Sequence, residues 1–325
     1  MLFIPHKHLY ISDTSYVSAD EPDYKEVITD ANSRRRMGRL LKKAVWCGLK
    51  SLDGVPSERV AGIITSTGAG FMKDTISFGS SIFDREETLL NPSPFMQSTF
   101  NTASGYIALI RKIHAYNTTY VQQADGFAAS LVDAAMLLDD AGEGNVALVG
   151  AFDEVTPEVD VIRQRLGLYR VGDGFLPLGE GAAAFLLSAA MPTDVSESCP
   201  ATEMSAGPGG ESGSEPSSEP LHEYGGTSSR SLNGTKDGNA ALRFCGLANL
   251  SDLPKCAENP IAELFGINAG VNVISCADHV ESLGAFRSLL PVLLCKLISE
   301  QKIPDGYTAI VDDVNEDGVI VLLHK

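Results

Sequence analysis

Strand-length apolar runs take turns with helix-length segments along this chain, and that alternation limits the possible folds more than any single motif. Leu9–Val17, Val60–Ser66 (VAGIITS), Thr118–Gln123 (TTYVQQ), Asn145–Gly150 and Gly181–Leu187 (GAAAFLL) read as strands. Ser33–Ser51 reads as a helix between the first two. Its apolar stripe is Met37, Leu40, Leu41, Val45 and Leu49, and Ser33 is placed to cap it. Thr102–Ala115 and Gly126–Asp139 read as two more helices. Strands alternating with helices predict sheets covered by helices on their faces, the α/β class.

Residues 191–240 interrupt this pattern. The stretch is rich in Ser, Gly and Pro, has no apolar run longer than two residues, and carries eight acids against two bases. It has too little apolar surface to offset its ordering entropy, so a mobile acidic insertion is expected there. The chain therefore divides into 1–190, the insertion at 191–240, and a shorter 241–325 region. In the last, Pro260–Phe265 and Leu283–Glu300 read as helices, the second interrupted by Pro291. Val271–Ser275, Tyr307–Asp312 and Gly318–Leu323 read as strands. No internal repeat is visible.

Charge narrows the function. Lys and Arg number 25 against 42 Asp and Glu, a net −17, so the chain as a whole repels nucleic acid and anionic membrane. One basic run stands out: Arg34–Arg36 opens the expected helix, where cations oppose the helix dipole, and is a candidate anion contact. No run reaches membrane-spanning length, and Met1–Tyr10 reads as first strand rather than signal peptide. Six widely spaced cysteines without a CxxC pair predict a reduced, cytoplasmic protein with neither disulfide framework nor zinc site.

Common catalytic fingerprints are missing. There is no phosphate loop, no HExxH and no GxSxG, and Gly68-Ala69-Gly70 lacks the third glycine of a dinucleotide motif. Neither metal nor cofactor is expected. Glu180 between two glycines reads as a packed turn residue, and Asp153-Glu154 as a post-strand turn without a proton-transfer role.

Five segments in order carry a resemblance: Thr65–Gly70 (TSTGAG), Asn91–Ser104 (NPSPFMQSTFNTAS), Gly126–Met136 (GFAASLVDAAM), Ala147–Glu154 (ALVGAFDE) and Gly172–Leu187 (GDGFLPLGEGAAAFLL). Together they resemble the N-terminal half of β-ketoacyl synthases. Asn259–Gly266 with Val271–Leu290 resembles a shortened version of that family's C-terminal half. The resemblance implies a thiolase-like α-β-α-β-α architecture with a shortened C-terminal half.

It also implies a chemistry: a helix-head cysteine that accepts the acyl chain, two histidines that bind the malonyl thioester carbonyl and assist decarboxylation, and an oxyanion hole. Matching Ser130-Leu131-Val132 to the family puts Phe127 at the nucleophile, with Gly126 or Ala128 one residue to either side. Gly246–Pro254, where the first histidine belongs, has none. Matching Gly284-Ala285 puts Asp278 at the second, with His279 one position late. The family's glycine loop is absent from Val311–Val319.

A family shape without its reacting groups resembles the chain-length-factor subunits. The expected role is a non-catalytic subunit assisting elongation of acyl-carrier-protein-bound chains in fatty acid, polyene or polyketide biosynthesis. Its partners would be a cysteine-bearing ketosynthase in a heterodimer, or a second copy in a homodimer, together with acyl carrier protein. Thr119, Val121 and Gln123 are expected on one strand face at the dimer seam or acyl tunnel, with Phe127 at the tunnel mouth. Two alternatives stand beside this: a divergent active synthase or malonyl decarboxylase using His279, and a homodimeric thiolase-fold scaffold or binding protein.

Overall fold

The computed structural model describes residues 9–122, 125–190, 242–255, 257–315 and 318–325. The expected insertion at 191–240 and the first eight residues lie outside the described residues. The first half runs β1 (Leu9–Val17), α1 (Ala31–Arg36), α2 (Arg39–Ser51), β2 (Val60–Ser66), α3 (Met72–Asp84), α4 (Pro92–Gln97), α5 (Thr102–Arg111), β3 (Tyr116–Tyr120), α6 (Asp125–Ala141), β4 (Val146–Asp153), α7 (Pro157–Leu166), a small hairpin of β5 (Arg170–Val171) and β6 (Gly174–Phe175), and β7 (Gly181–Ser188). The second half runs β8 (Arg243–Asn249), α8 (Pro260–Phe265), β9 (Val271–Ser275), α9 (Val280–Leu283), α10 (Leu289–Ser299), β10 (Tyr307–Val311) and β11 (Val319–His324).

Nine strands follow one another in the order β3-β2-β4-β7-β1-β8-β11-β10-β9. The join between β1 and β8 is only Leu9 with Phe244 and Tyr10 with Arg243, so two sheets meet at a narrow seam. The two halves share a topology. In the first, β2 runs parallel to β4, and β7 is antiparallel to both β4 and β1. In the second, β9 runs parallel to β10, and β11 is antiparallel to both β10 and β8. The first half adds β3, parallel to β2. The second half has no counterpart of β3 among the described residues. This repeat lies in strand pairing, not in residue identity, which is why the sequence does not display it.

Side-chain alternation sorts the layers. On β7, Ala182, Ala184 and Leu186 enter one core with α2 and α5. Ala183, Phe185 and Leu187 enter another with α6 and α10. On β11, Val319, Val321 and Leu323 join that same middle core, while Ile320 and Leu322 pack with α8 in a third. The result is helix, sheet, helix, sheet, helix. Of the middle helices, α10 is apolar nearly all round and buries Leu289–Cys295 and Leu297, whereas α6 buries one face and leaves Met136 exposed.

Three expectations change. The helix expected over Ser33–Ser51 is two helices, broken at Met37-Gly38, and its cap is Asp30, whose carboxylate accepts from Asn32 N and Ser33 N. The break is held by Gln97, which accepts from Gly38 N at 2.9 Å and donates to Arg36 O. Arg34–Arg36 thus fill the last turn of α1, where the dipole favours cations. Pro291 does not interrupt a helix. It sits in the first turn of α10, where a missing N–H has no intrahelical partner to lose. The strand expected at Thr118–Gln123 is Tyr116–Tyr120. It ends where Thr67 N, in the turn after β2, takes Tyr120 O at 3.0 Å.

Candidate functional site

In parallel α/β sheets the loops at the carboxyl ends of the strands meet and build sites. Here those ends carry Thr67–Gly70 after β2, the head of α6 after β3, Asp153 after β4, Cys276–His279 after β9 and Asp312–Asn315 after β10.

Phe127 is the third residue of α6 and is 5% exposed. Its ring lies 5.3 Å from that of Phe185 on β7, which lies 6.1 Å from Phe244 on β8. Three aromatic rings in series cross from the helix head through the middle of the molecule. Gly126 precedes Phe127 because a Cβ there would meet Ser66 Cβ at 3.2 Å. The position therefore offers a hydrocarbon ring packed on hydrocarbon, with neither an acid proton nor a lone pair.

The thiols that the structure describes are placed elsewhere. Cys47, Cys276 and Cys295 are buried, and Cys245 is half-buried. Burial pushes all four thiols up from their ordinary value, so none is poised as a thiolate. Cys276 begins the turn after β9, where the nearby Asp312 and Asp313 raise it further. Asp278 in that turn is exposed and His279 half-buried. Nothing in the described contacts brings either one to Phe127.

Thr119 turns toward its own subunit, sharing hydrogen bonds with Thr65 Oγ1 at 2.7 Å and Ser104 Oγ at 3.4 Å. Val121 is exposed and lies beyond the end of the strand, so the expected alternation of Thr119 and Val121 along β3 is not formed. Gln123 lies outside the described residues. Among the described residues β3 is nonetheless the outermost strand of its sheet, bonded only to β2.

The strand ends also hold two buried carboxylates. Asp153 Oδ1 accepts from Thr67 Oγ1 at 2.9 Å, Gly68 N at 3.0 Å and Ala69 N at 2.9 Å. Its Oδ2 accepts from Ser288 Oγ at 2.6 Å. Burial still raises its pKa, because these four donors do not fully replace water. Arg287 packs over Gly68, where a Cβ would lie 2.2 Å from Arg287 Cδ. Asp312 occupies the matching place after β10. Its carboxylate accepts from Val314 N, Asn315 N and Asn315 Nδ2, and burial raises it to about 6. Asn315 Oδ1 accepts from Tyr169 OH at 2.9 Å, which ties the α7–β5 loop to the second half. The turn from which the resemblance finds the family's glycine loop absent is thus organised by a carboxylate.

Glu180 is gripped from α2. Lys43 Nζ, fully buried, donates to Glu180 Oε1 at 2.6 Å and to Ser18 O at 2.6 Å, and Arg39 Nη2 reaches the same Oε1 at 2.8 Å. Sequence reading passed over Lys43, Tyr169, Ser288 and Asp312 because each partner is more than 100 residues away or follows a turn with no motif. Asp153 was legible only as a turn. Among the described residues no group of three or more His, Cys, Asp or Glu is placed to hold a metal ion, and no helix is long and apolar enough to cross a membrane.

The family model for the β-ketoacyl synthase N-terminal domain matches residues 13–196. That is more than half of the chain, and the chain belongs to the β-ketoacyl synthase family. A search of curated protein sequences finds no match. Among solved structures, the ishigamide ketosynthase/chain length factor is similar with a TM-score of 0.59 at 13% identity, covering 99% of this chain and 98% of that one. A type II polyketide acyl-carrier protein in complex with its ketosynthase, AntDE:AntF, gives a TM-score of 0.61 at 14% identity, covering 98% and 99%. A β-ketoacyl synthase from Burkholderia phymatum STM815 gives 0.59 at 11%, covering 98% of both. Likeness at such identities establishes the fold, with its layered α/β architecture.

Proposed function

We propose that this chain is a non-catalytic, chain-length-factor-like subunit that pairs with a cysteine-bearing ketosynthase to elongate chains carried on acyl carrier protein. The observation that carries the reading is Phe127, a buried hydrocarbon ring in the first turn of α6 at the position that the family gives its nucleophile. The buried thiols, each pushed above its ordinary pKa, support it.

The outer edge of β3, unpaired among the described residues, supports a partner. An open edge templates pairing with another chain, and this one is flanked by exposed Leu109 and Ile110 on α5 and Met136 on α6. The exposed Arg35 and Arg36 at the end of α1 support carrier docking, since residues 31–50 hold no acid in a chain of net −17. An acidic carrier would be steered there.

The test is reconstitution. The chain is co-expressed with a cysteine-bearing ketosynthase from the same source, and elongation of malonyl-loaded carrier protein is assayed for the complex and for each protein alone. The reading expects a stable complex, activity that depends on the ketosynthase cysteine, and none from this chain alone. A homodimer that never captures the ketosynthase would favour the scaffold.

A further inference from the structure

α7 (Pro157–Leu166) is packed inside out. Arg163 is the one buried residue of this ten-residue helix, and its guanidinium is clamped. Nη2 donates to Asp160 Oδ1 at 2.9 Å, and the group lies 5.2 Å from the Tyr169 ring and 5.7 Å from the Phe175 ring. The apolar residues lie on the other side: Val161 is 49%, Ile162 55% and Leu166 68% exposed. A buried cation beneath an uncovered apolar face reverses the usual partition of a surface helix. The clamp fixes which face looks outward, because turning the helix to bury Ile162 and Leu166 would pull Arg163 from its two rings.

The pattern of that face selects its occupant. Glu158, Val161, Ile162 and Arg165 recur at the i, i+3, i+4 and i+7 spacing of one helix stripe, and all four are exposed. The acid stands in the first turn and the base in the last. The stripe carries 1 − 1 = 0 net charge, so it has no pull on a strongly acidic or strongly basic partner. It is complementary to itself. A two-fold axis between Val161 and Ile162 sets two copies of the helix antiparallel. Glu158 then meets Arg165 of the second copy and Val161 meets Ile162, each twice, while Leu166 meets Pro157. A closed two-fold contact requires this reciprocity, in which one residue touches another and is touched by it in return. Among the described residues neither Glu158 nor Arg165 is in an ion pair. Asp160 instead takes the neighbouring Arg163 and Gln164. The helix is about 15 Å long, so this face alone buries less than the roughly 1,200 Å² of a stable interface. The contact is therefore weak and reversible.

We infer that the outer face of α7 is a self-association surface, on which a second copy of this chain docks antiparallel about a two-fold axis with Glu158 facing Arg165. The inference goes beyond the proposed function and does not depend on it. The contact uses no residue of β3, so it links two chains whether or not each is also paired at that edge.

Sedimentation velocity of the full chain over about 10 to 500 μM reads the association. Wild type should show a concentration-dependent species of twice the starting mass. Glu158→Arg sets like charges against each other at both ends of the stripe, as does Arg165→Glu, and each should weaken association about 10-fold or more. Mixing the two single variants sets opposite charges face to face again and should recover it, as should the double variant Glu158→Arg with Arg165→Glu. Wild type that stays unassociated across the range would overturn the inference. Association that the single variants leave unchanged belongs to another surface and would overturn it too. Weakening that neither the mixture nor the double variant reverses would give the face to a different occupant, and the second copy would be wrong. Thermal melting shows whether each charge variant is folded. Ile162→Ser, at an exposed position in the middle of the stripe, leaves the helix ends intact; it should weaken association without lowering the melting temperature, and association equal to wild type would again overturn the inference.

Discussion

Ser288 Oγ and Asp153 Oδ2 lie 2.6 Å apart in a buried hydrogen bond, and this one contact joins the two halves at their strand ends. Asp153 closes β4 in the first half, and Ser288 precedes α10 in the second. The same carboxylate gathers the Thr67–Ala69 turn.

Removing the Ser288 hydroxyl leaves a buried carboxylate one donor short. Ser288→Ala should lower unfolding stability by about 2 kcal/mol, and Asp153→Ala, which strands four donors, by more. Urea unfolding measures both, and a Ser288→Ala midpoint equal to wild type would remove the clasp.

A backbone contact beside this clasp accounts for the most recognisable motif. Ala285 N donates to Pro177 O at 2.7 Å. A Cβ on Gly179 would lie 1.9 Å from Leu283 O, and one on Gly284, whose φ is +78°, would lie 2.3 Å from Gly179 N. Gly179→Ala or Gly284→Ala should therefore force the halves apart. Either should cost several kcal/mol or prevent accumulation of folded protein, read by circular dichroism and melting. Gly142→Ala, with nothing near its Cβ, carries only the cost of its own positive φ and should be milder.

Those two glycines also show why part of the fold could be read beforehand. Gly172–Leu187 and Gly284-Ala285 are recognisable because the two halves touch backbone to backbone there, so small residues are required at fixed places. Strands such as Val60–Ser66 were readable because both of their faces are buried. α3 and α7 were not read as helices, since neither has a buried apolar stripe: α3 buries nothing, and α7 buries only Arg163. The sequence singles out Phe127, which the structure buries at the head of α6. The site was illegible at Asp312, whose partners are a turn of its own making and a tyrosine hydroxyl relayed through Asn315.

Asp312 and Asp13 give the fold a pH dependence. Burial raises each from 3.8 to about 6. A carboxylate whose folded pKa lies above its unfolded value holds its proton more tightly when folded. Stability should therefore fall as pH rises from about 4 through 6 and level off above, the reverse of a salt-bridged Asp. Asp312→Asn should flatten part of that slope in melts taken between pH 4 and 7. A slope unchanged in Asp312→Asn would contradict the assignment.

Phe127 packs between α6 and Phe185, so Phe127→Ala should cost about 3–5 kcal/mol through the cavity it leaves. If the ring also limits the depth open to the partner's growing chain, the reconstituted complex should release longer products. Product mass distribution reads this directly. Unchanged lengths from a folded variant would detach Phe127 from chain-length control.

The central claim is that no group in this chain carries an acyl intermediate. The most direct measurement is the intact mass of the purified chain after incubation with acyl-loaded and malonyl-loaded carrier protein, with and without the ketosynthase. The account predicts an unmodified mass for this chain and an acyl adduct on the ketosynthase alone. A stable acyl adduct on this chain would contradict it.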